Sequence, residues 1–210
     1  MAQSIAFRRY RLILLAALAA TTACNAGLDP QAATLAQADR ESTQLHKRYK
    51  EDERYALRIR TDTARGRIWM LGTGYQVRIY DQESKRLLRQ IRLPGWLVVK
   101  TPCMPDLVLD RTGSAYVSSN VSAWLWRIDA ASFQVWVHEV RMPGREALDV
   151  GFGALAFDRK GALYGLAPSG SSIWAIDVVN ASASIMETHL PPLDACELTA
   201  QTLDRLEARR

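Results

Sequence analysis

From Tyr55 onward, short apolar and aromatic runs alternate with turns rich in Gly, Pro, Asp and Ser. This pattern is typical of β-strands joined by tight turns. In the middle of the chain it predicts four successive strands, at residues 107–109, 115–117, 124–128 and 134–140. The first pair is joined by a turn in which Asp110 can accept backbone N–H bonds and Gly113 can take a positive φ. We therefore expect a four-stranded antiparallel sheet here.

The same pattern occurs three times. An Asp that is soon followed by Gly and an apolar or aromatic pair recurs every 48 residues, at Asp62, Asp110 and Asp158. A second Asp, at the end of an apolar run, keeps the same spacing at Asp81, Asp129 and Asp177. Each unit then closes on a short Pro-containing segment, beginning at Leu93, Met142 and Leu190. A period of this length with four strands per unit indicates the blades of a β-propeller.

The third unit carries a family resemblance. It reads Asp158-Arg159-Lys160-Gly161-Ala162-Leu163-Tyr164, then Ile173-Trp174-Ala175-Ile176-Asp177, then Leu190-Pro191. These lines resemble the repeat of virginiamycin B lyase-type propellers and their NHL-repeat relatives. The resemblance covers residues 55–192 and implies an all-β fold, a partial β-propeller of about three four-stranded blades. We place the blades at about 55–98, 103–146 and 150–192, with a polar helical tether at 24–54 and a short C-terminal helix at 193–210.

The number of blades departs from the family, which usually closes a ring of six or more. An export signal at one end and a charged, helix-like segment at the other suggest a complete product, so an open arc of three blades would expose a flat sheet face at each end. We favour closure by a homodimer, three blades plus three, or by a partner. The second alternative is that the terminal helices cap the arc.

The first residues predict that the protein is exported from the cytoplasm. Residues 1–23 contain Arg8, Arg9 and Arg11, then an apolar run at 12–20 that is too short to span a bilayer, which together are typical of an export signal. The small residues before Cys24 resemble a bacterial lipobox, although Thr21 stands where that pattern usually has Leu. We expect a lipid on Cys24 that anchors the protein on the periplasmic side of a bacterial membrane. The alternative is ordinary cleavage and a soluble periplasmic protein.

Charge and cysteine content exclude several classes of function. The 210 residues carry a formal net charge of +5, but three of the arginines lie in the export signal, so nucleic acid is not an expected partner. Three cysteines are too few for a four-thiolate zinc site. In an oxidising compartment, Cys103 and Cys196 can form a disulfide that closes a long loop. Two buried free thiols are the alternative, and the sequence leaves both open.

The chemistry of the site is less clear than the fold. The resemblance implies a His-containing, metal-assisted site on the central face, but the loops expected there, at 104–105 and 151–153, contain no His. The three histidines, His46, His138 and His189, fall elsewhere, so we transfer no catalytic residue, metal or cofactor. Asp81, Asp129 and Asp177 are better explained as turn residues than as calcium ligands.

These observations favour a non-enzymatic envelope lipoprotein whose blades form a binding scaffold for a protein or glycan. Trp96 lies in a predicted loop, and we take it as the candidate binding residue. Arginines and lysines are concentrated in the first unit, where a solvated strand face is expected and an acidic partner is the alternative. The alternative function is a metal-dependent lyase or lactonase-like enzyme that is completed by dimerisation.

Overall fold

The computed structural model describes residues 30–143, 150–188 and 196–208. Their helices are α1 (Pro30–Arg54) and α2 (Ala200–Glu207). The strands are β1 (Ala56–Asp62), β2 (Arg67–Gly72), β3 (Gln76–Asp81), β4 (Leu87–Arg92), β5 (Leu107–Leu109), β6 (Ala115–Ser118), β7 (Trp124–Ile128), β8 (Val135–Glu139), β9 (Ala154–Phe157), β10 (Leu163–Leu166), β11 (Ser172–Asp177) and β12 (Ser182–Thr188). Neither described helix is long and apolar enough to cross a bilayer. The predicted export signal, Cys24 and His189 lie outside the described residues.

The strands form three four-stranded antiparallel sheets in simple sequential order, β1–β4, β5–β8 and β9–β12. We call these sheets blades 1, 2 and 3. The first strand of each blade lies beside the first strand of the next, β1 beside β5 and β5 beside β9. Sheets that succeed one another around their first strands have the architecture of a partial β-propeller. The predicted fold class, three blades with an N-terminal and a C-terminal helix, is confirmed.

The repeated Asp residues shape the turns as their spacing suggested. One oxygen of Asp110 accepts the backbone N–H groups of Thr112 and Ser114. The equivalent oxygen of Asp158 accepts those of Lys160 and Ala162. The glycine in each of these turns has a positive φ, 80° in blade 2 and 91° in blade 3. Local hydrogen bonds and one glycine therefore fix the hairpin that begins these two blades.

Apolar side chains fill the space between successive blades. Trp126 is fully buried between blades 1 and 2, where it packs with Trp69 and Val117. Trp174, 48 residues later, is fully buried between blades 2 and 3, where it packs with Phe152. Each tryptophan faces the blade that precedes its own. Burial of a large ring at the same repeat position therefore joins one blade to the next, and each ring contributes about 3 kcal/mol by removal of its apolar surface from water.

Helix α1 covers the free face of blade 1. Tyr49 of the helix is buried against Ile68, Met70 and Tyr80 of the sheet. Asp52, one turn further along, accepts a 2.8 Å ion-paired hydrogen bond from Arg78 and a hydrogen bond from the Tyr80 hydroxyl. Burial and the hydrogen bond to this carboxylate raise the pKa of Tyr80 far above its ordinary value. The end of the stack is thus closed by apolar contact and by one shared carboxylate.

Arg78 occupies the repeat position at which Trp126 and Trp174 face a preceding blade. In blade 1 the preceding element is a helix, and the residue at this position is a cation that pairs with it. The outer face of blade 1 is therefore complementary in charge to α1. Against the apolar face of another blade, an arginine at this position would have no partner.

Helix α2 covers the free face of blade 3. Leu203 of the helix and Leu198 before it are buried against Tyr164, Leu166 and other residues of the sheet. Thr199 caps the helix by accepting the N–H of Thr202. The contact resembles a blade-to-blade contact: Arg111 in blade 2 reaches the carbonyl of Arg159 in blade 3, and Arg159 reaches Asp204 of α2 at 3.1 Å. The helix takes the place of a following blade.

In the described residues both end faces are therefore covered by helices, as the second alternative for closing the arc expected. The homodimer stays a prediction, since covered end faces do not require it.

We predict that Asp52→Ala lowers the free energy of unfolding by about 2–3 kcal/mol, because it leaves a largely buried guanidinium and the Tyr80 hydroxyl without their acceptor. Urea denaturation followed by tryptophan fluorescence measures the change. Lys50→Ala is the matched control on the same helix, since its pair with Glu53 is exposed at the cation and is worth about 0.5 kcal/mol or less. Equal losses in both variants would contradict the role of Asp52.

Candidate functional site

The first strands of all three blades begin at the same end of the stack, which we call the upper face. Because neighbouring strands are antiparallel, this face also carries the β2–β3, β6–β7 and β10–β11 connections and the long crossings between blades. The crossing from blade 1 to blade 2, residues 93–106, is the one that the structure describes throughout. In propellers such loops are free to vary without loss of the stacked core, so the upper face is where a ligand is expected.

The crossing loop is extended and alternates between inward and outward side chains. Trp96 and Val98 point into the core between blades 1 and 2. Leu97 and Val99 point away from it and are 55% and 48% exposed. Tyr75, in the neighbouring β2–β3 connection, is 49% exposed, and its ring meets that of Trp96 edge-on at 6.1 Å between centroids. We call Tyr75, Leu97 and Val99 the apolar strip.

Trp96, the candidate binding residue, is not exposed in its loop as expected. Its side chain is only 1% exposed, and its indole N–H donates a 2.7 Å hydrogen bond to the carbonyl of Ser118. Gly95 allows the crossing loop to pass close to blade 2, because a Cβ added there would lie 2.9 Å from the ring of Trp124. Position in a loop suggested exposure, but the indole fills the gap between two blades. Trp96 supports the apolar strip from below.

Asn120 holds the same loop in place. Its side-chain N–H₂ donates to the carbonyl of Val99 at 2.8 Å and to the hydroxyl of Thr101 at 2.7 Å, and its oxygen accepts the N–H of Val99 at 3.3 Å. The residue is almost fully buried. One amide thus satisfies both backbone groups of Val99, as a neighbouring strand would. The apolar strip is therefore presented on a fixed backbone.

Tyr75 has an unusual backbone. Its φ is 59°, in the left-handed region, where a side chain other than Gly or Asn costs about 1 kcal/mol. Its carbonyl accepts the N–H of Leu93, which fixes the connection to the start of the crossing loop. A large ring that is half exposed on a strained backbone is a candidate for contact with a ligand.

A second feature lies near the axis, where the first strands converge. Asp106, just before β5, is buried and bridges all three blades. One carboxylate oxygen pairs with Arg58 at 3.2 Å and Arg60 at 3.0 Å, both on β1. The other oxygen accepts the N–H of Leu155 on β9 at 3.1 Å. The carboxylate is compensated by two cations and by backbone donors, as a buried charge requires.

The segment before α2 closes one side of this axial region. The structure joins Cys103 and Cys196 in a disulfide, with their Cα atoms 5.3 Å apart. The bond fastens the segment at 196–199 to the crossing loop, across a sequence separation of 93 residues. Gly153 makes room for it, since a Cβ there would lie 2.3 Å from the Cβ of Cys103.

The two histidines within the described residues do not converge on the upper face. His46 lies exposed on α1 and bonds the carbonyl of Ser42. His138 lies on β8, the outermost strand of blade 2, where partial burial and the nearby Arg127 lower its pKa. Among the described residues, no three His, Cys, Asp or Glu side chains are placed to hold a metal ion. Within residues 30–143, 150–188 and 196–208, the candidates from the sequence are not brought together into a reactive group.

The second set of repeated Asp residues serves the turns. Asp81, Asp129 and Asp177 each accept hydrogen bonds within the turn that follows, and these bonds lower the pKa of each carboxyl. The leading donors are the hydroxyl of Ser84, the N–H of Ser132 and the N–H of Asn180. Their regular spacing reflects one turn used three times.

No protein-family model matches the chain, and no curated protein matches it. Its structural neighbours are β-propellers. Virginiamycin B lyase from Staphylococcus aureus is 16% identical, with a TM-score of 0.46, over 64% of this chain and 41% of the lyase. The WD40 propeller domain of Doa1 is 9% identical, with a TM-score of 0.46, over 65% of this chain and 41% of that one.

A third neighbour is the propeller domain of Cps50 (Swd1) from Myceliophteria thermophila. It is 13% identical, with a TM-score of 0.44, over 80% of this chain and 48% of that one. The chain therefore spans less than half the length of each of these three neighbours. The likeness concerns the fold.

The roles of Asp106 and Asn120 were not predicted from the sequence, although the repeat carries a signal for Asp106. Arg58, Asp106 and Ala154 stand at the same repeat position, and the first two carry opposite charges. Equivalent positions on adjacent first strands lie close together, so this change of sign predicts an ion pair between blades. Asn120 has no comparable signal, because its partners depend on where the crossing loop runs.

We predict that Asn120→Ala frees the crossing loop, because both backbone groups of Val99 lose their buried partner. Trypsin should then cleave after Lys100 faster than it does in the wild type, and the free energy of unfolding should fall by about 2 kcal/mol. Asn180→Ala, in the exposed β11–β12 turn, is the control and should change stability by about 0.5 kcal/mol or less. Unchanged cleavage after Lys100 would show that Asn120 does not hold the loop.

Proposed function

We propose that the protein is a lipid-anchored scaffold of the bacterial envelope, whose upper face binds a protein or glycan partner. The observation that carries the proposal is the apolar strip: Tyr75, Leu97 and Val99 are about half exposed on a backbone that Trp96 and Asn120 hold rigid. Exposed apolar groups on a fixed surface lose little conformational freedom on binding, so more of the contact energy appears as affinity. The fold provides the platform and the strip provides the contact.

The chemistry of the strip favours a protein over a glycan. Two aliphatic side chains beside a tyrosine ring offer apolar contact, which is typical of the buried centre of a protein interface. A glycan would use the Tyr75 ring by stacking but gains little from Leu97 and Val99. A neighbouring lysine, Lys100, is exposed at the rim and adds a charge that an acidic partner would meet.

The lipid anchor is proposed from the sequence around Cys24. A lipid on Cys24 places the folded body close to a membrane on its periplasmic side, where an oxidising environment maintains a disulfide such as that between Cys103 and Cys196. The metal-dependent lyase or lactonase-like enzyme completed by dimerisation stays the alternative, and nothing in the described residues favours it.

We predict that a photo-crosslinking amino acid at position 97, introduced in bacterial cells that produce the protein, yields a defined adduct heavier than the 23.5 kDa chain. The same group at position 179 should yield none. This residue is 93% exposed and lies in the β11–β12 turn, at the end of the stack opposite the upper face. Adducts at both positions, or at neither, would contradict the proposed surface. An adduct of twice the chain mass would identify the partner as a second copy.

A matched pair of variants separates contact from folding. Leu97→Ser combined with Val99→Ser should reduce the adduct formed from a probe at position 75 by about five-fold or more, because the apolar contact is lost. The thermal unfolding midpoint should stay within about 2 °C, since both side chains are already half exposed.

We predict that Cys24 accepts labelled palmitate in growing cells and that Cys24→Ser abolishes the label and releases the protein from the membrane fraction. Cys196→Ser is the control, because it removes another cysteine and should retain the label. A wild-type protein that is found unlabelled in the soluble periplasmic fraction would overturn the anchor and leave the binding surface unaffected.

A further inference from the structure

A groove of about 350 Å³ lies beside the axial carboxylate, separate from the apolar strip. It is lined by Arg58 and Arg60 of β1, by Asp106, and by residues 196–199 of the segment before α2. We call it the axial groove. Its volume is at the lower end of the range for small-molecule sites, which fits a ligand of about one sugar or one amino acid in size.

The two arginines that line this groove retain hydrogen-bond donors. Both guanidiniums share one oxygen of Asp106, and each also donates to a backbone carbonyl, Arg58 to Leu57 and Arg60 to Ile59. Among the described residues, Nη2 of Arg58 and Nε of Arg60 have no hydrogen-bond acceptor. The side chains are 26% and 39% exposed, so both arginines are partly accessible to a ligand in the groove. Both guanidiniums share a single oxygen of Asp106, so their remaining N–H groups suit the carboxylate of a ligand.

The segment before α2 forms a wall of the groove with different chemistry. Glu197 is exposed on the segment that the disulfide fastens, and its carboxylate accepts hydrogen bonds without donating any. A simple anion would be repelled by this wall, whereas a molecule that carries both a carboxylate and hydroxyl groups would satisfy both walls. The β1 strand and the disulfide fix the two walls before binding, which reduces the entropy cost of ordering them.

We propose that the axial groove binds the carboxylate of a sugar acid, with Arg58 and Arg60 on the carboxylate and Glu197 on the ring hydroxyls. This site is distinct from the apolar strip and does not depend on the partner proposed for that surface.

The test is titration of the purified protein with sodium glucuronate at low ionic strength, followed by calorimetry or by shifts of backbone resonances. Glucuronate should bind with a Kd of about 1 mM, as expected for a ligand of this size. Glucose, which lacks the carboxylate, should bind about ten-fold more weakly or not at all. Absence of saturable glucuronate binding, or equal binding of glucose, would overturn the proposal, as would tighter binding of N-acetylglutamate.

Two variants locate the ligand. Arg60→Gln should weaken glucuronate binding about ten-fold while Arg58 and the backbone donors still hold Asp106. Arg89→Gln, an exposed arginine on β4, is the control and should leave the affinity unchanged. Glu197→Gln should alter the preference for glucuronate over acetate without unfolding the protein, because Glu197 is exposed. Equal glucuronate affinity in wild type, Arg60→Gln and Glu197→Gln would show that binding occurs elsewhere.

Discussion

A four-stranded sheet with apolar side chains on both faces is stable only when both faces are covered, and this constraint determines the structure. Between blades the cover is mutual, and Trp126 and Trp174 each fill the space towards the preceding sheet. At the ends no sheet is available within the described residues, and α1 and α2 supply the cover. The stack is therefore a series of matched faces whose first and last members are adapted to helices.

That adaptation is visible at single repeat positions. The residue that is tryptophan in blades 2 and 3 is Arg78 in blade 1, where it meets the carboxylate of Asp52. At the other end Arg159 contacts α2 as Arg111 contacts blade 3. The departures from the repeat thus carry information about what each blade touches, whereas the agreements define the blade itself. Function is expected at further departures, and the crossing loop and Asp106 are two of them.

The sequence predicted the features that depend on local chemistry. The strands at 107–109 and 124–128 follow from alternation and from turns in which Asp and Gly act within a few residues. Features that join distant segments could not be predicted from the sequence. Trp96 was interpreted as exposed because its acceptor, the carbonyl of Ser118, lies 22 residues away. The role of Asn120 and the covers at both ends depend in the same way on the assembled stack.

The disulfide has a mechanical consequence. It joins the start of blade 2 to the segment after blade 3, so these two blades lie within one covalent ring and blade 1 lies outside it. A force applied through α1 meets blade 1 first and can peel it away strand by strand. The ring limits how far the remaining chain can extend, because the crosslink bears the load. In a molecule pulled from its amino-terminal side, blade 1 would thus extend fully, whereas residues 103–196 would stay joined through the crosslink.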